Sequence, residues 1–299
     1  MQRFYFRYVI MEISKQPEVY FHVGLGKTGT TYLQYSVFPK LKNICYIQRT
    51  LYSKSPKIID KQKCSKYLVS REFDRQFDRE VKKFADKFPK AKPIIVLRRQ
   101  DSWIASQYRR FVKNGRQYSF PEFVDVENNN GVWDRDELLF FRRIKLLEEQ
   151  FDTTPLVLLH DDLKKAPWQF FDRICEYTGA SYDPEKISLN PSHTSYSLKQ
   201  LKYVKRISPY LVKSQPQPAN NKLWHWVRYR SRWLLLHLVL YVSALLPEGP
   251  VKNEVLIEPG ELEKVRNAYE EDWAKCVEYA KRQKQQDIRT LKNSSSAMK

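Results

Sequence analysis

Gly24-Leu25-Gly26-Lys27-Thr28-Gly29-Thr30-Thr31-Tyr32-Leu33-Gln34 is the stretch from which the rest of the chain can be read. It follows an apolar run, Val19-Tyr20-Phe21-His22-Val23, whose length and composition predict a buried strand, and it opens into a helical pattern. A strand, a glycine-rich turn and a helix start together build an anion site. Backbone N–H groups at the helix N-terminus point at one place, the helix dipole adds partial positive charge, and Lys27 adds a full one. The ligand implied is a phosphate or a sulfate.

Gly26-Lys27-Thr28 matches the end of a Walker A loop, but the first glycine of that motif would fall at position 21, which is Phe21. The turn is instead extended after the lysine, where Gly29-Thr30-Thr31 adds a flexible backbone and two hydroxyls. Further along, Pro93-Ile94-Ile95-Val96-Leu97 predicts a second buried strand, ending in Arg98-Arg99 where a metal-binding nucleotidase would place an aspartate. Helical spacing follows, with Trp103, Ile104, Tyr108, Phe111 and Val112 on an apolar side. Arg98 offers a bidentate fork at a strand end, and Ser106, seven intervening residues on, adds a hydroxyl from the next helix.

The pattern Lys27-Thr28-Gly29-Thr30-Thr31, with Arg98 and Ser106 at Arg-x7-Ser spacing, resembles the sulfotransferases that use 3′-phosphoadenosine 5′-phosphosulfate (PAPS), in particular their bacterial members. The resemblance runs from about position 19 to 213. It takes in Tyr67-Leu68-Val69-Ser70-Arg71-Glu72, the strand from Pro155 with Asp161-Asp162-Leu163, the Trp168 to Gly179 helix, and Asn190-Pro191-Ser192 with the later Ser195. It implies that Gly26, Lys27, Thr28, Gly29, Thr30 and Thr31 hold the 5′-phosphosulfate, and that Arg98 and Ser106 hold the 3′-phosphate. PAPS would be the co-substrate, with no metal expected. Lys27 would stabilise the bridging oxygen, and Glu72, after a strand end, would be the general base. His22 competes for that role, but its place inside the strand favours a structural one.

Strands are expected near 19–23, 44–48, 66–70, 93–97 and 155–159. Helices are expected over 29–38, 74–88, 101–113, 134–150, 167–178, 195–208 and 260–285. Strands alternating with helices predict an α/β three-layer sandwich with a central parallel sheet and a P-loop-like phosphosulfate-binding loop. Ligands in such sheets bind beyond the carboxyl ends of the strands, where the loop, Glu72 and Arg98 can converge. The chain divides into an N-terminal extension (1–18), the α/β core (19–213), a helical C-terminal part packed on the core (214–290, beginning with the Ser214 to Asn221 linker) and a tail (291–299) expected to be disordered.

A length of 299 residues supports one large domain with an ample core. The net charge of +19 exceeds what one nucleotide requires; the excess is either ordinary solvated surface charge or a match to an anionic acceptor or lipid surface, with nucleic acid less so. Cys45, Cys64, Cys175 and Cys276 form no metal-binding spacing, and widely scattered thiols fit a cytoplasmic protein. Between 222 and 247, Trp224, Trp226, Trp233, Arg228, Arg230 and Arg232 precede the apolar Leu234 to Leu246. That segment is either a helix packed on the core or a peripheral membrane contact.

Two rival functions share these residues. Leu156-Val157-Leu158-Leu159-His160-Asp161 looks like a Walker B strand and, with Lys27-Thr28, would make a Mg-dependent kinase or ATPase. A basic membrane- or polyanion-binding protein would need no Lys27 loop at all. The leading expectation is sulfuryl transfer from PAPS to a hydroxyl or amine of an acceptor such as a glycan or lipid-linked molecule, in a cytoplasmic enzyme with some membrane association.

Overall fold

The computed structural model describes residues 16–61, 63–190, 196–211 and 221–296, with backbone alone at 222, 225 and 286–296. Most of the N-terminal extension, the Pro191–Ser192 and Ser195 positions, most of the linker after Ser214 and the last three residues lie outside the described residues.

Five strands form one sheet in the order β2-β3-β1-β4-β5: β1 (Glu18–Gly24), β2 (Cys45–Ile47), β3 (Lys66–Glu72), β4 (Lys92–Leu97) and β5 (Leu156–Leu159). Every pairing is parallel. The expected fold class is therefore the observed one. β1 lies at the centre, which is why it reads as an unbroken apolar run: both of its faces are covered.

Side-chain alternation along the strands splits the core in two. Val19, Phe21, Val23, Val69, Ile95 and Val157 join a cluster with the helices Phe77–Ala85, Gln100–Lys113 and Phe140–Phe151. Tyr20, Leu68, Ile94, Val96 and Leu158 join a second with Leu33, Val37 and Phe38 after the loop and with the Pro167–Thr178 helix. The two clusters are the two helix–sheet interfaces of the sandwich.

Several elements depart from expectation for local reasons. The helix after the loop is α only over Thr30–Tyr32, widens to a π turn at Leu33–Val37 and tightens to 3-10 geometry at Phe38–Lys40, where Pro39 removes a donor. The expected 134–150 helix is a 3-10 turn, Arg135–Leu138, and then the helix Phe140–Phe151. Asp272 makes that restart possible by accepting from the N–H groups of Phe140 (2.9 Å) and Phe141 (3.2 Å), which would otherwise be unpaired. The last expected helix breaks at Tyr269 into Glu261–Ala268 and Glu270–Ser296. The helix Glu270–Ser296 runs on past the expected end at 285 and takes in 291–296.

The cysteines also correct the sequence reading. Cys45 and Cys64 form a disulfide with Cα atoms 6.2 Å apart, while Cys175 and Cys276 are free. The bridge ties the edge strand β2 to the residues that lead into β3. Scattered spacing had concealed a pair, and with it goes the thiol-based argument for a reducing, cytoplasmic setting. Among the described residues no helix is long and apolar enough to cross a membrane.

Candidate anion-binding and active site

Because every strand runs the same way, the ends of β1, β3, β4 and β5 deliver Gly24, Glu72, Arg98 and His160 to one edge of the sheet. The loop after β1 is the centre of that edge. Lys27 and Gly29 both adopt left-handed backbone, with φ of 68° and 87°. For lysine this conformation costs on the order of 1 kcal/mol or more, a strain typical of functional turns. Left-handed residues of this kind can turn successive N–H groups to one side, the backbone geometry of an anion-binding nest. Gly29 has a second constraint: a Cβ there would lie 2.8 Å from Leu163 Cδ2 and 3.3 Å from His160 Cδ2.

The loop is braced from below. Asp74 Oδ1 accepts from Gly26 N–H (3.0 Å), and its other oxygen pairs with Arg110 (2.8 Å). Trp103 Nε1 donates to Gly26 O (2.8 Å), and Gln107 Nε2 donates to Asp74 (3.2 Å). Trp103, Gln107 and Arg110 are spaced four and three residues apart on the Gln100–Lys113 helix, so one helical face carries all three. Sequence reasoning placed Trp103 on the apolar side and missed Asp74, Gln107 and Arg110. The spacing of the three helical residues was a usable signal; Asp74 offered none.

The threonines divide their labour. Thr28 is fully buried and its hydroxyl donates to Leu25 O (2.8 Å), so it serves the loop itself. Thr30 donates to the Glu72 carboxylate. Thr31 is exposed.

Cations crowd the same edge. Arg98 donates through Nε to Ser102 Oγ (2.8 Å) and through Nη1 to Lys27 O (3.2 Å). Ser102 thus takes the contact nearest Arg98. Ser106 is half-buried one helical turn further along the same face. The Lys27 ammonium titrates below the usual lysine range, chiefly through partial burial, then through Arg110 and Lys113 and, beyond Glu72's opposing influence, Arg98. Burial, offset by Asp161, likewise lowers Arg98. Burial is the larger cause for both groups, and the neighbouring cations add to it at Lys27.

Two histidines flank the loop. His22 is completely buried; its Nδ1 lies 2.8 Å from Ser70 Oγ, its ring meets Phe38 edge-on, and burial pushes its pKa down to about 3. It has no access to solvent, and its partners Ser70 and Phe38 lie in the interior. His160, at the end of β5, was not singled out from sequence except within the Walker B-like string. It is held down to about 4 by burial and then by Arg98 and Lys164. Asp161 and Asp162 fall in the first turn of the His160–Lys165 helix, where their charge favours the helix dipole. β4 lies between β5 and β1 in the sheet, but the helix after β5 reaches the loop through Leu163 and His160 at Gly29. Among the described residues no cluster of three or more His, Cys, Asp or Glu could hold a metal ion.

No protein-family model matches the chain, and no curated protein does. Among solved structures it is similar to a sulfotransferase from Alicyclobacillus acidocaldarius, with 16% identity and a TM-score of 0.46 over 75% of this chain and 96% of the other. It is also similar to mouse sulfotransferase SULT7A1 complexed with PAP, with 12% identity and a TM-score of 0.41 over 86% of this chain and 84% of that one.

Proposed function

We propose that the protein is a PAPS-dependent sulfotransferase. The observation that carries this reading is the convergence of Lys27, Arg98, Arg110 and Lys113 on a left-handed glycine–threonine loop, with Glu72 hydrogen-bonded to that loop. A nucleotide bearing phosphates at both ends of its ribose would use more of these cations than a simple mononucleotide.

In this reading, loop N–H groups of residues 28 to 31 and the Thr31 hydroxyl bind the 5′-phosphosulfate. Thr28 acts only by shaping the turn. Arg98, steadied by Ser102, takes the 3′-phosphate, and Ser106 adds its hydroxyl on the same helical face. The acceptor hydroxyl oxygen attacks sulfur in line while the bond from sulfur to the bridging oxygen breaks. The electron pair leaves with that oxygen, now a 5′-phosphate oxygen, where Lys27 neutralises the developing charge. Glu72 takes the acceptor proton through the carboxylate oxygen that Thr30 does not occupy. The products are 3′-phosphoadenosine 5′-phosphate, a sulfate ester and a protonated Glu72. The acceptor best suited to the surrounding positive charge is a glycan or lipid-linked hydroxyl.

Calorimetric titration tests the reading. The protein should bind 3′-phosphoadenosine 5′-phosphate without added metal, and Arg98→Ala should weaken that binding roughly 30- to 100-fold, the worth of a charge-assisted phosphate contact. Binding of ATP with Mg alone would reject the proposal and favour the kinase reading.

A further inference from the structure

The helix Lys222–Leu245 has two apolar faces, and only one of them is used. Leu236, Leu240 and Ser243 are buried against the Leu198–Leu211 helix and the turn at Gly115. Gln200 Nε2 donates to Leu240 O (2.8 Å), and Lys199 Nζ donates to Ala244 O (2.9 Å) and Leu246 O (2.8 Å), so this docking is specific. The opposite side carries Trp224, Val227, Leu234, Leu238, Tyr241 and Leu245, all exposed; Leu245 is 88% exposed and Leu234 63%.

On a wheel of about 100° per residue these side chains form one continuous stripe, and Arg228 and Arg230 fall on its two borders. Trp226 is exposed at its flank, and Tyr229 and Trp233 are exposed further round the helix, with the Arg230 guanidinium over the Trp233 ring (5.1 Å). Arg232 turns inward to donate to Asn114 O (3.2 Å). The Lys222–Leu245 and Leu198–Leu211 helices together contain no Asp or Glu, while the second adds Lys199, Lys202, Lys205 and Arg206.

We propose that this face docks on an anionic lipid bilayer, with the helix lying in the plane of the interface. An apolar stripe explains insertion among acyl chains, aromatic side chains suit the headgroup level, and the arginines at the borders meet lipid phosphates. The arginines distinguish a lipid surface from a second copy of the chain, because the same helix in another copy offers them no carboxylate. The buried face stays committed to protein, so the helix lies on the membrane and does not span it. This inference is independent of the reaction proposed above.

Co-sedimentation of the full chain with phosphatidylcholine vesicles, with and without phosphatidylserine, provides the test. Binding should rise with phosphatidylserine and fall with salt. Arg228→Gln with Arg230→Gln should lower the partition coefficient roughly tenfold or more. Leu234→Ser with Leu238→Ser should abolish binding; because both side chains already face solvent, the circular dichroism spectrum and melting temperature should stay unchanged. Tryptophan quenching by brominated lipid chains gives a second readout that needs no variant. Absence of vesicle binding, or binding indifferent to phosphatidylserine and to both variant pairs, would overturn the proposal. So would a dimer, measured by light scattering, that Leu234→Ser with Leu238→Ser dissociates while vesicles remain unbound.

Discussion

The Thr30 hydroxyl donates to the Glu72 carboxylate across 42 residues of sequence, joining the end of β3 to the helix start that follows the anion loop. Under the proposed reaction Glu72 would have two separable duties, holding the loop through this contact and accepting a proton. Glu72→Gln keeps an acceptor for Thr30 but cannot take up a proton at neutral pH. It should lower kcat by roughly 100-fold or more, the usual worth of a general base, while affinity for 3′-phosphoadenosine 5′-phosphate changes little. Glu72→Ala should reduce both. Near-normal turnover in Glu72→Gln would remove the residue from the chemistry and leave it as a loop support.

Asp74 is the structural counterpart of Glu72. It accepts from the buried Gly26 N–H and at the same time pairs with Arg110, whose guanidinium lies among the cations of the site. Asp74→Ala would leave a buried backbone donor without a partner and Arg110 without a counter-charge. Denaturant unfolding should show a loss of about 2–3 kcal/mol. Nucleotide affinity should fall as well, because the nest is no longer held. Full stability in this variant would mean that water replaces the carboxylate and that the loop shapes itself.

The central part of this architecture was legible in the sequence. β1 and β4 are covered on both faces and so read as unbroken apolar runs, and Gly26, Lys27 and Gly29 sit where only a tight turn fits. Arg98 was legible because it ends such a run. Features that depend on distant partners were not. Asp272 caps a helix 132 residues earlier in the chain, and Cys45 finds Cys64 only because β2 pairs beside β3. The Lys222–Leu245 helix was ambiguous for another reason: it is apolar nearly all round, so its composition cannot say which side faces protein.

The Cys45–Cys64 bridge closes a short loop, with a sequence separation of 19, at the sheet edge nearest β3. Chain-entropy arguments give such a closure about 3 kcal/mol, through restriction of the unfolded state. Treatment with a reductant that leaves other conditions unchanged should therefore lower the melting temperature, and Cys45→Ser with Cys64→Ser should lower it by a similar amount without further response to reductant. An unchanged melting temperature, or two free thiols at these positions by mass spectrometry of the alkylated protein, would show that the pair stays reduced.

His22 and His160 make stability depend on pH in a defined direction. Both are held neutral by burial, at about 3 and about 4, against an ordinary value of 6.5. Between pH 6.5 and 4 the unfolded chain binds protons at both positions and the folded chain does not. Acidification across that window therefore favours unfolding, and stability rises again as pH is raised through it. The slope should approach about 1.4 kcal/mol per pH unit for each histidine. Above 6.5 neither state carries these protons and the contribution is constant. His160→Gln should flatten the dependence by about half while leaving the His22 portion in place. Unfolding free energies measured at several pH values on both proteins decide the matter: parallel curves would mean that His160 titrates alike in the folded and unfolded chains.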